Sequence, residues 1–157
     1  MSITSSEIRD PQQKIVYSWE AAHVESQDSH ILSYNEIREL VRHASGLIGI
    51  MHPDLKFKKT NAHCRAYPIK NLIVITNWGK TKTTVLHELA HIADFQITKG
   101  KSGMGHGPIF LGISMALYSF YLKIPISYLH KSALGMGLKF INLSLETKSP
   151  DFFDDDF

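Results

Sequence analysis

A histidine-rich pentapeptide, His87-Glu88-Leu89-Ala90-His91, constrains the fold of this 157-residue chain more than any other feature. Apolar residues at helical spacing surround it and predict a helix from about Lys80 to Ile97. Side chains four residues apart lie on one face of a helix, so His87 and His91 can bind the same ion. Glu88 then lies beside the first ligand, where its carboxylate can accept a proton from a metal-bound water. The pattern is typical of a zinc hydrolase; the alternative is a surface helix with unrelated histidines.

A catalytic zinc site has three protein ligands and leaves the fourth position for water. His106 is the better candidate for the third ligand, because it lies between two glycines in a loop that can turn back onto the motif helix. The alternative for this loop is a plain connection with an exposed histidine. Asp94 lies on the same helix face as His91 but two turns from His87, about 10 Å along the axis. We expect Asp94 to hydrogen-bond the imidazole of His91; an exposed or capping position, or direct ligation, are the alternatives.

Further patterns place the other elements. Ser33-Tyr34-Asn35-Glu36 is a capping box that predicts a helix ending near Gly46 or Gly49, and Asp10-Pro11 predicts the N-cap and first residue of an earlier one. The expected helices span about 12–24, 33–49, 80–97, 108–121 and 125–134, and the expected strands span about 59–67 and 71–76, with a strand or extended arm at 139–145. These elements predict an α+β fold with a small antiparallel or mixed sheet packed on three to five helices, and the motif on the central helix.

Length and composition predict one domain at 11–146, between a disordered N-terminus at 1–10 and an acidic disordered tail at 147–157. No apolar run is long enough for a membrane span, and the first residues lack the basic and apolar regions of a signal peptide. Cys64 is the single cysteine. No internal disulfide can therefore form, which fits a cytoplasmic protein.

Charge is distributed unevenly along the chain. Segment 56–101 has nine Lys and Arg side chains against Glu88 and Asp94, a formal charge of +7. Such a field favours an acidic substrate or DNA, although solvated lysines on strand edges and helix ends would give the same count. The tail ends in Asp-Phe-Phe-Asp-Asp-Asp-Phe. It can recruit a basic partner, fold back over segment 56–101, or only keep the protein in solution.

His87-Glu88-x-x-His91, a gap of fourteen residues, and His106-Gly107-Pro108-x-Phe110 together resemble the SprT-like zinc metalloprotease domain, the group that includes Spartan. The resemblance covers about residues 83–112. It implies a zincin-like fold in which His87, His91 and His106 bind zinc and Glu88 is the catalytic base. With one cysteine, the chain cannot build the C-terminal zinc ribbon that many SprT-like proteins carry. The chain is also similar to small metallohydrolases of actinobacteria and their phages, through Arg9-Asp10-Pro11-Gln12 and Gly137-Leu138-Lys139.

The resemblance implies hydrolysis of peptide bonds through a metal-activated water, with DNA-associated proteins among the substrates. In related folds an edge strand pairs with an extended substrate. That role falls here on Ile73, Val74 and Ile75; the alternative is a core strand, and both can be true at once. A metal-dependent hydrolase that cleaves a non-protein amide, and a non-catalytic binding module stabilised by its metal, are the alternatives. A purely structural metal site would have no use for Glu88.

Overall fold

The computed structural model describes residues 10–77, 80–102, 105–143 and 145. The predictions for the acidic tail and for residues 1–9 lie outside this part of the chain. Five α-helices are present in it: α1 (Gln13–His23), α2 (Tyr34–Ile48), α3 (Lys82–Thr98), α4 (Pro108–Leu122) and α5 (Ile126–Gly135). Three strands are β1 (Asp54–Phe57), β2 (Arg65–Tyr67) and β3 (Leu72–Ile75). The predicted α+β class with a small mixed sheet is therefore confirmed.

Local signals set the helix boundaries. Ser33 Oγ accepts a hydrogen bond from the Glu36 backbone N–H, and the Ser33 N–H donates to Glu36 Oε1, so the predicted capping box is present at the start of α2. The Thr81 side chain caps the start of α3 by accepting from the Thr84 N–H. Such caps satisfy backbone donors that have no partner within the helix. The motif helix accordingly begins and ends within two residues of its predicted limits.

The sheet has the order β1-β3-β2, with β1 parallel and β2 antiparallel to the central strand. Ile73 pairs with Leu55 on one side and with Ala66 on the other, so both edges of β3 are occupied. This contradicts the prediction that Ile73, Val74 and Ile75 offer a free edge to a substrate. All three side chains are buried, as expected for the alternative, a core strand.

Two other strand predictions agree with the structure only in part. Within 59–67 only Arg65–Tyr67 forms a strand, and the sequence did not predict β1 at Asp54–Phe57. β1 is only four residues long and forms because it pairs with β3, a contact that local sequence does not reveal. Of the two alternatives for 139–145, the strand is not found at 139–143; these residues lie along α4, where the Ile141 N–H donates to the Pro108 carbonyl.

The core is centred on α3 and α4. α4 is buried from Phe110 to Tyr118 without interruption, and the inner faces of α1, α2 and α5 pack around the same cluster. Trp19 of α1 is fully buried and donates a hydrogen bond from Nε1 to Ser132 of α5 at 2.9 Å. Among the described residues, none of the helices combines the length and apolarity needed to cross a bilayer. The packing places the motif helix between the sheet and α4.

Gly112 of α4 allows the C-terminal segment to pack closely. A Cβ at this position would lie 2.4 Å from Ile141 Cγ1 and 2.6 Å from the Ile141 carbonyl oxygen. We therefore expect Gly112→Ala to destabilise the protein by about 1–3 kcal/mol through overpacking. Helix propensity alone would predict a gain of up to about 1 kcal/mol.

Gly46→Ala is the matched control, since Gly46 also lies inside a helix and a Cβ there meets no atom within 4 Å. Urea denaturation of both variants measures the difference in free energy of unfolding. Equal stability of the two variants would contradict the close approach of Ile141.

Candidate metal centre

Three histidines converge at the contact between α3 and the loop before α4. His87 Nε2 lies 3.2 Å from His91 Nε2 and 3.3 Å from His106 Nε2. Two ligands of a tetrahedral zinc ion, with Zn–N distances of about 2.0–2.1 Å, would be separated by about 3.3–3.4 Å. Both separations from His87 match this value, and the ligand nitrogens of the three residues all lie within 4.8 Å of one another, so they fit a single ion. The structure thus brings together the three residues predicted as ligands.

The residues that follow His106 start α4 and bring Phe110 into contact with the three histidines. Gly107 takes the N-cap position of α4 and Pro108 its first helical position, so the chain turns directly into the helix after His106. One turn later the Phe110 ring stacks on that of His91, with centroids 4.3 Å apart, and contacts His87 and His106 edge-on. Phe110 therefore forms an apolar floor that holds the three imidazoles in place.

Each imidazole is oriented from its outer side. His87 Nδ1 lies 2.7 Å from Glu20 Oε2, and His106 Nδ1 lies 2.7 Å from Asp10 Oδ2. His91 forms a hydrogen bond with the backbone of Gly105. When Nδ1 carries the proton for such a bond, the Nε2 lone pair faces inward, which is the arrangement found in metal sites. The ring orientation therefore supports ligation by Nε2.

Glu20 is part of the site, although the sequence motifs did not predict it. It lies on α1, is only 4% exposed, and accepts hydrogen bonds from both His87 and the buried Tyr118 hydroxyl. Its spacing was an available signal, because Glu20 follows Val16 by four residues and therefore shares the buried face of α1.

Asp10 has a different role from the predicted helix cap. Gln12 occupies the N-cap position of α1, while Asp10 accepts hydrogen bonds from both the backbone N–H and the ring of His106. A Cβ on Gly105 would lie 2.7 Å from Asp10 Oδ2, so the glycine permits this approach. Gln12 Nε2 adds a hydrogen bond to the His106 carbonyl. Asp10 is thus an ordered part of the site, and its assignment to a disordered N-terminus is wrong.

Asp94 does not bind His91. Its Oδ2 accepts a hydrogen bond from Ser102 at 3.2 Å, and its buried Oδ1 has no partner among the described residues. Burial raises the pKa of this carboxyl group. The prediction of a hydrogen bond to the imidazole is therefore wrong: Asp94 reaches the segment that follows α3, and the backbone of Gly105 takes the place beside His91.

Glu88 lies half-buried beside His87, with its position set by the sheet. The Ala66 N–H of edge strand β2 donates to Glu88 Oε2 at 2.8 Å. Burial raises the pKa of Glu88 to about 6, although nearby His87 and the Ala66 hydrogen bond act in the opposite direction. A carboxylate of this pKa can hold and release a proton near neutral pH.

A cleft of about 380 Å³ opens beside Glu88 and His87. Tyr17 forms part of its wall, with its ring centroid 5.0 Å from that of His106 and 5.9 Å from that of His87. None of the nine basic side chains of segment 56–101 is among the residues that line it. Seven of the nine basic residues are exposed, and the charge of one of them, Arg65, acts on Glu88 and lowers its pKa.

Comparisons of the chain with protein-family models, with curated proteins and with solved structures find no match. The resemblance to SprT-like proteases and to small metallohydrolases therefore stays a prediction that rests on the quoted motifs. The expected partners, DNA, DNA-bound proteins and a partner for the acidic tail, stay predictions as well.

Metal binding by the variants His106→Ala and Asp94→Asn tests the ligand set. We expect His106→Ala to lose tight zinc binding, and Asp94→Asn to retain it because Asp94 contacts none of the three rings. Asp10→Asn should weaken binding by about 10–100-fold, since it removes the charge that orients His106. Competition with a chromophoric chelator measures affinity, and circular dichroism confirms folding. Unchanged affinity of His106→Ala would contradict the assignment.

Zinc affinity should also depend on pH through His87. Burial alone would lower the pKa of His87, but the Glu20 charge and its hydrogen bond raise it above its usual value. Burial and the neighbouring histidines hold the pKa of His91 well below that value, and burial lowers that of His106. His87 is thus the ligand that must release a proton when metal binds, so affinity should fall about tenfold per pH unit below its pKa.

Glu20→Gln removes the group that raises the pKa of His87. In this variant we expect the decline in affinity to begin at a lower pH, in addition to weaker binding overall. Titrations between about pH 8 and about pH 5.5 cover the range in which histidine changes charge. The same midpoint in both proteins would contradict the role of Glu20.

Proposed function

We propose that this chain is a zinc-dependent metallopeptidase with a zincin-like fold, related to the SprT-like proteases. The observation that carries the proposal is the position of Glu88. Its carboxylate lies beside a buried three-histidine group, at the wall of the same cleft, and is held there by a backbone N–H. A metal site with only a structural role needs neither the carboxylate nor the cleft.

The donor set supports zinc. Three imidazole nitrogens, with that of His87 at tetrahedral spacing from the other two and with no fourth protein ligand among the described residues, correspond to a catalytic site that keeps one position for water. When bound, zinc lowers the pKa of a coordinated water to about 7 and polarises a substrate carbonyl. His87, His91 and His106 would hold the ion, and Glu20 and Asp10 would keep two of these rings oriented.

Glu88 then acts as the general base. Its Oε2 is anchored by Ala66, so Oε1 is available to accept a proton from the attacking water and to pass it to the leaving amine. Burial favours this role, because a base is most effective when its pKa is near the working pH. Tyr118, which is buried against Glu20, supports His87 and does not face the substrate.

An extended peptide is the substrate shape that the sheet favours. β2 lies at the edge of the sheet next to α3, and the Ala66 N–H points away from β3 toward Glu88. His63 and Cys64, which directly precede β2, line the cleft. A substrate backbone beside β2 would therefore pass Glu88, so the pairing role predicted for β3 belongs to β2 in this proposal.

Glu88→Gln is the decisive variant. It keeps a side chain that can accept the Ala66 hydrogen bond but removes the base, so zinc should remain bound while cleavage of unfolded casein falls by at least about 100-fold. Glu39→Gln is the matched control, because Glu39 lies exposed on α2 and pairs with Arg42. Gel-based cleavage assays and zinc content are measured on the same preparations.

The outcomes separate the alternatives. If wild type binds zinc yet cleaves neither unfolded nor DNA-bound proteins, the peptidase proposal fails and a non-protein amide becomes the substrate class to test. Equal cleavage by wild type and Glu88→Gln would assign the activity to a contaminating protease. Removal of the metal with a chelator, followed by readdition of zinc, should abolish and then restore cleavage.

A further inference from the structure

The wall of the cleft beyond the metal centre is polar and carries negative charge. Besides Tyr17, it is formed by Glu25, His63, Cys64, Thr83 and Thr84. None of the described lining residues is aliphatic, and none is Lys or Arg. The cleft lining therefore has no aliphatic side chain that would enclose a leucine-like group and no Lys or Arg that would pair with an acidic one; Arg65 lies near enough to lower the pKa of Glu88 but does not line the cleft.

Glu25 is the charged group at the exposed part of this wall. It begins the 3-10 turn Glu25–Gln27 that follows α1, and no described residue forms an ion pair with it. The other carboxylates near this wall accept hydrogen bonds, and the second oxygen of Glu88 has the role of base in the proposed reaction. Asp28 Oδ2 accepts hydrogen bonds from the Thr83 N–H and hydroxyl, and Glu20 is bound by His87 and Tyr118. Glu25 is thus the carboxylate that can bind a group entering the cleft.

We propose that the cleft binds a lysine or arginine side chain next to the scissile bond, and that Glu25 determines this specificity. This inference rests on the proposed peptidase function. A cationic side chain would form a charge-assisted hydrogen bond with Glu25, while its carbon chain lies beside the Tyr17 ring. An acidic side chain at the same place would meet carboxylates of the same charge.

The net charge of the protein cannot produce such a preference for basic side chains. With a formal charge of +2, and +7 in segment 56–101, the long-range field attracts acidic peptides. A preference for basic residues in the cleft would therefore run against this field and could come only from local contacts.

Binding to the inactive variant tests the cleft without requiring turnover. Three fluorescent decapeptides of alanine and glycine, with a single central Lys, Leu or Glu, are titrated into zinc-loaded Glu88→Gln. The Lys peptide should bind at least about 10-fold more tightly than the other two. Adding Glu25→Gln should remove this preference, Glu25→Asp should keep part of it, and Glu39→Gln should leave it unchanged. Zinc content is measured for each protein.

Cleavage of the same peptides by wild type supplies the second measurement. Its kcat/KM should be higher for the Lys peptide by a similar factor. In the Glu25→Lys variant, kcat/KM should instead be higher for the Glu peptide than for the Lys peptide. Equal affinities for the three peptides, or tighter binding of the Glu peptide, would overturn the inference. Cleavage without any preference would overturn it and leave the peptidase function in place. Tighter binding of the Lys peptide without cleavage of any protein would support the binding of cationic side chains in the cleft and overturn the peptidase function.

Discussion

The buried carboxylate of Glu20 is the group on which the site depends. A charge removed from water is costly unless it is paired and hydrogen-bonded, and Glu20 meets this demand with His87 of α3 and Tyr118 of α4. Three helices are therefore held in one arrangement around a single carboxylate. The same contact directs Nε2 of His87 toward the other two histidines, so the stability of the helix packing and the geometry of the three-histidine group have a common origin.

The loop that carries His106 is positioned from outside the motif. Asp10 binds both its backbone and its ring, and the Gln12 side chain connects it to the backbone of Lys139 near the other end of the described chain. Hydrogen bonds of this kind hold a histidine that no helix positions by itself. The candidate metal centre is consequently the place where the N-terminal segment, the motif helix and the C-terminal segment meet.

Charge is separated between the outside of the protein and its cleft. Most lysines and arginines of segment 56–101 are exposed, whereas the cleft wall carries Glu20, Glu25 and Glu88. The exterior field acts over about 8–10 Å at physiological ionic strength, but recognition in the cleft depends on contacts at hydrogen-bond distance. Under the proposed peptidase function, this separation lets the protein approach acidic assemblies and still select basic residues for cleavage.

The sequence by itself determined the features that depend on neighbours along the chain. The two helix histidines and Glu88, the capping box at Ser33 and the helix limits follow from a repeat of 3.6 residues and from local hydrogen bonds. The tertiary structure decided everything that depends on contacts between distant residues. Glu20 lies 67 positions from His87 and Asp10 lies 96 from His106, and β3 is central only because β1 and β2 both pair with it. No local pattern encodes such pairings, since they exist only after the chain has packed.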